Sequence, residues 1–135
     1  MESTIITYET INRKLINEFP ELNDGYRQEM EGWGNDDPGP HIIYGNILNP
    51  YIISLLKSDG NDEKLKNIFN FIETLAGAGD THVQEVVAFT ICEDLMDDRD
   101  LFSKASIYMG KTTLRFCNEI EQFRERLHRD ANSRS

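Results

Sequence analysis

An all-α fold of seven or eight short helices is what this sequence predicts, and three observations carry it. Apolar residues recur at steps of three and four through most of the 135 residues, no run alternates with period two, and the breaks at Gly, Pro, Asn and Asp are short. The length suits one core, so a single helical domain is expected over residues 1–128, with a disordered polar tail at 129–135. A 39% apolar fraction with 7 Phe, 5 Tyr and a Trp supplies the burial that offsets ordering entropy.

Taken in order, residues 4–19 place Ile5, Tyr8, Ile11, Leu15 and Phe19 on one helical face. Pro20 disfavours helix in the residue before it and suits the first turn of a second helix, which runs through Leu22, Tyr26, Met30 and Trp33 and ends at Gly32 and Gly34. Asp36-Asp37-Pro38-Gly39-Pro40 cannot be regular helix, because its prolines remove donors. Beyond it Ile42, Ile43, Tyr44, Ile47 and Leu48 resume helical spacing. Asn49 then reads as a cap and Pro50 as a first-turn residue, giving two closely linked helices, with one helix kinked at Pro50 as the alternative.

Asp62 is expected to cap a helix to about Ala76, which the Gly77–Gly79 segment stops. Asp80 or Thr81 caps the next, residues 83–96, so apolar on several faces that it belongs near the centre of the molecule. Residues 97–100 read as turn and cap, 101–109 as a short helix, Gly110 as a break, and 112–128 as the last helix. Cys92 and Cys117 fall among apolar neighbours and read as buried free thiols.

The net charge of −10 is unevenly spread. Residues 1–40 hold nine acids against three bases and residues 81–100 six against one, whereas residues 101–135 hold four against seven. This argues against direct contact with nucleic acid or an anionic membrane and favours a basic partner. No run of 18 apolar residues occurs, and the first residues lack a signal-peptide pattern, so a cytoplasmic protein is expected.

The chemistry-bearing residues form no diagnostic motif. Asp36, Asp37 and His41, or His82 with Glu93, Asp94, Asp97 and Asp98, could be imagined around a metal, but neither set has ligand spacing. No nucleophile elbow, paired Cys-x-x-Cys or phosphate loop is present, so neither an enzyme nor a cofactor is expected. The segment 33–51 has a structural reading, in which Trp33 packs under the prolines, His41 bonds a loop carbonyl, and Asp36 and Asp37 cap. It also has an interfacial one, in which a rigid loop offers Trp33 and those acids to a partner. Candidate partner contacts are Glu29, Glu31, Trp33, Asp36 and Asp37 in one group, and Glu93, Asp94, Asp97, Asp98 and Asp100 in another.

Two resemblances add to this. Asp80 to Leu95 resembles the inner helix of HEAT and armadillo-type repeats, with an acidic cap, early Val, central Ala and late Leu, which implies stacked helical hairpins. Trp33-Gly34, Asp37-Pro-Gly-Pro-His41, Gly45, Asn49-Pro50, Leu55-Leu56, Asp98-Arg-Asp-Leu101 and Met109-Gly110 resemble an uncharacterised family of small α-helical bacterial proteins, over roughly residues 19–122. Such proteins are similar to the helical immunity proteins of contact-dependent inhibition and other bacterial toxin systems. The resemblance implies a cytoplasmic protein that binds and neutralises a cognate toxin, a basic nuclease by the charge argument, or failing that a non-catalytic adaptor. It brings no catalytic residues.

Overall fold

Helices account for nearly all of the computed structural model, which describes residues 6–133, and no strand occurs among them. Seven helices follow one another: α1 (Ile11–Glu18), α2 (Asn23–Trp33), α3 (residues 40–56), α4 (Asp62–Ala76), α5 (residues 81–96), α6 (Arg99–Ser106) and α7 (Lys111–Ser133). The all-α expectation holds.

The chain does not enter α1 as the sequence pattern proposed. Thr7 and Thr10 close a turn on each other, the Thr10 hydroxyl accepting from Thr7 N–H at 3.1 Å and donating to the Thr7 carbonyl at 3.0 Å. Threonine side chains compete in this way with helix hydrogen bonding, so α1 starts at Ile11. The expected start at Thr4, with Ile5, lies outside the described residues. Ile11, Leu15 and Phe19 point into the core as expected.

Pro20 opens a single 3-10 turn (Pro20–Leu22) that leads into α2. Gly34, at φ 63°, ends α2 by donating to the carbonyls of Met30 and Glu31. No residue of α2 is buried, so it lies at the periphery.

The largest departures from the expected elements are two π turns. Segments Pro40–Ile43, Tyr44–Leu48 and Asn49–Leu56 follow without a break, and Tyr44–Leu48 is π-helical, with Asn49 N–H donating to the Tyr44 carbonyl five residues back. The linked pair of helices is therefore one rod. Pro50 explains the wide turn, because in a regular α-helix its ring would press on the carbonyl of Asn46 four residues earlier. Asn49 is not a cap but a helix-interior residue, 2% exposed. In α5 the stretch Val86–Cys92 is π-helical as well.

α5 is the central helix that its composition predicted: Val83, Val86, Val87, Ile91, Cys92 and Leu95 are fully buried. It touches α3, α4, α6 and α7, and α7 also packs on α4. Four of the other six helices thus meet at one central member. Two acidic caps are as expected: Asp80 accepts from His82 and Val83 N–H, and Asp98 from Asp100 and Leu101 N–H. α7 continues past His128 to Ser133, so residues 129–133 are helical where a disordered tail was expected, and residues 134–135 lie outside the described part.

Candidate functional site

Irregular backbone, the buried Asn49 and several of the signature residues coincide at the crossing of α3 over α5, where the two π turns meet. Gly45 faces Thr90 there, a Cβ at this position lying in van der Waals contact with the Thr90 methyl at 3.4 Å. Thr90 is held from both ends. Its hydroxyl lies 2.6 Å from His41 Nδ1, and its carbonyl accepts from Asn49 Nδ2 at 3.1 Å. The same Asn49 amide donates to Asp94 Oδ2 at 2.6 Å, while Asn49 Oδ1 is buried without a partner. π turns often occur at functional positions.

The Asp-Pro-Gly-Pro-His element delivers His41 to this crossing by packing its prolines on the amino-terminal part of the chain. Pro38 and Pro40 are buried, Asn12 donates to the Pro38 carbonyl at 3.4 Å, and Gly39 faces Tyr8, whose hydroxyl would be 3.0 Å from an added Cβ. The tyrosine ring also meets the rings of His41 and His82, with centroids 6.3 Å and 5.8 Å away.

Trp33 does not pack under these prolines. It is 39% exposed, and its indole N–H donates to Glu29 at 2.8 Å. His41 bonds the Thr90 hydroxyl and not a loop carbonyl. Asp36 and Asp37 are exposed, and no side-chain bond caps α3.

The candidate acids are placed as follows. Glu29 accepts from Trp33 and, at 3.2 Å, from Asn46 of α3. Glu31, Asp36 and Asp37 lie exposed near the end of α2. Asp94 accepts from Asn49, three residues after Asn46 on the same rod. Both groups are therefore tied to α3 through neighbouring asparagines, an arrangement that sequence spacing did not foretell. Glu93 is half-buried and its carbonyl accepts from Arg124. Asp97, Asp98 and Asp100 are exposed around the turn into α6. Among the described residues only Asp97 of these ten positions meets a cation, Arg124 at 3.3 Å.

Sequence reasoning missed Glu73. Its carboxylate accepts from the backbone N–H groups of Thr112 and Thr113, both at 2.9 Å, and from the Thr113 hydroxyl at 2.8 Å, capping α7 from a different helix. Burial opposes its charge, but the bonds from Thr113 and Thr112 win and hold its pKa below the ordinary value. Nothing in spacing links Glu73 to Thr112. The hint was Gly110, where an added Cβ would overlap the Glu73 carboxyl group.

Among the described residues no group of three or more His, Cys, Asp and Glu side chains is disposed to hold a metal ion, and no helix is long and apolar enough to cross a membrane. Of known proteins, the family described as Domain of unknown function (DUF7674) matches residues 12–125. Neither a curated protein nor a solved structure matches the chain.

Proposed function

Since the chain belongs to the DUF7674 family, a match that takes in residues 12–125 and brings no activity with it, we propose from its surface that it is an immunity-type inhibitor, which occludes a basic bacterial toxin domain in the cytoplasm. One observation carries the reading: two groups of acids, most of them exposed, flank α3 and are tied to it through Asn46 and Asn49, and of the ten positions only Asp97 forms an ion pair among the described residues. A nuclease toxin carries positive charge for its nucleic acid, and an acidic face is steered to it rapidly. Exposed carboxylates such as Asp36 and Asp37, which cap no helix, contribute little to folding and are free to meet a partner's counter-charge.

The experiment is co-expression with the protein encoded by the adjacent reading frame, which the proposal requires to be a toxin. Restored growth and a stoichiometric complex are expected; continued killing with no complex would refute the proposal. The double substitution Asp36→Lys, Asp37→Lys should slow association about tenfold at low salt while leaving Tm unchanged, as both residues are exposed.

An adaptor reading draws on a different feature, an apolar groove of about 350 Å³ between α5 and α7. Phe89 and Phe123, 50% and 48% exposed, stand above Phe116 and Ile120, with Glu119 and Arg126 at the rim, dimensions that suit one face of a partner helix. Phe89→Asp separates the readings. It would abolish capture by an adaptor and leave charge-steered inhibition intact.

A further inference from the structure

Cys92 and Cys117 come from different helices, α5 and α7, and are separated by 25 positions, yet their sulfurs are 2.7 Å apart. Both are free thiols, 0% and 1% exposed. A disulfide requires about 2.05 Å, so the pair has well under roughly 1 Å to close. Both sulfurs are closed off from bulk solvent, but of the two only Cys117 borders a groove. Cys117 forms part of the floor of a groove of about 680 Å³ between α6 and α7, beside Arg99, Arg124 and Arg129, whereas Cys92 lies behind it in the core.

We infer that this pair is a redox modification site, at which peroxide joins Cys92 to Cys117 in a reversible disulfide that staples α7 onto the central helix. Cys117, on the groove side, loses its proton and attacks one oxygen of hydrogen peroxide. An S–O bond forms, the O–O bond breaks, and the departing hydroxide takes up the proton as water. The Cys92 sulfur then attacks the Cys117 sulfenic acid. An S–S bond forms, the S–O bond breaks, and hydroxide leaves with the Cys92 proton as a second water. Two thiols have lost two electrons and two protons, and one peroxide has become two waters.

The order of events follows from position. Its hydrogen bond with Cys117, and then burial, push the Cys92 thiol far above the ordinary range, so it is poorly suited to meet peroxide first. Contact with Cys117 suits it to resolve the sulfenic acid.

The test uses the full reduced chain, treated with hydrogen peroxide, denatured, and examined by thiol titration, intact mass and non-reducing electrophoresis. Loss of both thiols, a mass lower by two hydrogens, monomeric migration, and a Tm about 5 °C or more above the reduced form are expected, all reversed by dithiothreitol. Persistence of both thiols, gain of oxygen without cross-linking, or a bond between two chains would each overturn the inference. In the Cys92→Ala variant, dimedone should trap Cys117 as the sulfenic acid; if that variant does not fold, the wild-type result decides alone.

Discussion

Glu73 and Gly110 form a unit in which each explains the other. The carboxylate can reach the N–H groups at the start of α7 only because position 110 has no side chain, an added Cβ being in collision with the Glu73 carboxyl carbon. That carboxyl is held by three bonds, so it cannot swing aside without uncapping the helix. Gly110→Ala should therefore cost about 2 kcal/mol in urea unfolding, and Glu73→Gln about 1 kcal/mol, as the amide keeps one acceptor. The pH dependence has a defined sign. Because the folded-state pKa lies below the ordinary 4.5, the carboxylate's contribution is complete above that value and is lost as pH falls through the folded pKa. The gap between wild type and Glu73→Gln should accordingly close in acid. At Asn49 the amide serves the Thr90 carbonyl and Asp94 together, so Asn49→Ala should cost about 2 kcal/mol by removing both bonds, the Thr90 carbonyl keeping the Glu93 N–H. Trp33→Ala, by contrast, should cost less than about 1 kcal/mol, its indole being partly in solvent and its one bond going to a surface carboxylate.

At the scale of elements, the readable features were those written in local chemistry. Asp80 and Asp98 signal their helices because a carboxylate one residue before the first turn can reach N–H groups two and three positions on. Replacing either by Ala should lower the urea midpoint by the equivalent of about 1 kcal/mol. The central position of α5 was readable from apolar residues on more than one face. What the sequence concealed were features that depend on two elements at once. The π turns left no mark in a pattern read at 3.6 residues per turn, and Pro50 looked like the start of a helix because its other accommodation, a widened turn before it, is rare. The acidic groups were legible as a composition, but their common anchorage on α3 needed the side-chain partners of Asn46 and Asn49. The pairing of Cys92 with Cys117 was equally invisible, since buried thiols at that separation meet only if two particular helices pack.

Across the whole molecule the charge is polarised along the chain, acids gathering in residues 1–40 and 81–100 and bases outnumbering acids in residues 101–135. A partner steered by the acidic surface should associate more slowly as salt rises, by an order of magnitude or more between 50 mM and 500 mM, measured by stopped-flow mixing. Reversal of Arg126, which belongs to the groove rim, should leave that salt dependence unchanged. The π turn of α3 also bears on how the molecule can vary. Removing one residue from Tyr44–Leu48 would convert the wide turn to an ordinary one and leave the helix beyond it nearly in phase, since five residues of a π turn and four of an α turn each complete roughly one revolution, although the Pro50 ring would then press on the carbonyl four residues before it. Ile52, Leu55 and Leu56 would keep facing the core, whereas a deletion in the regular helix just after Pro50 would rotate everything beyond it by roughly 100°. Descent within the family can therefore change the number of residues at this one turn more freely than anywhere else along α3.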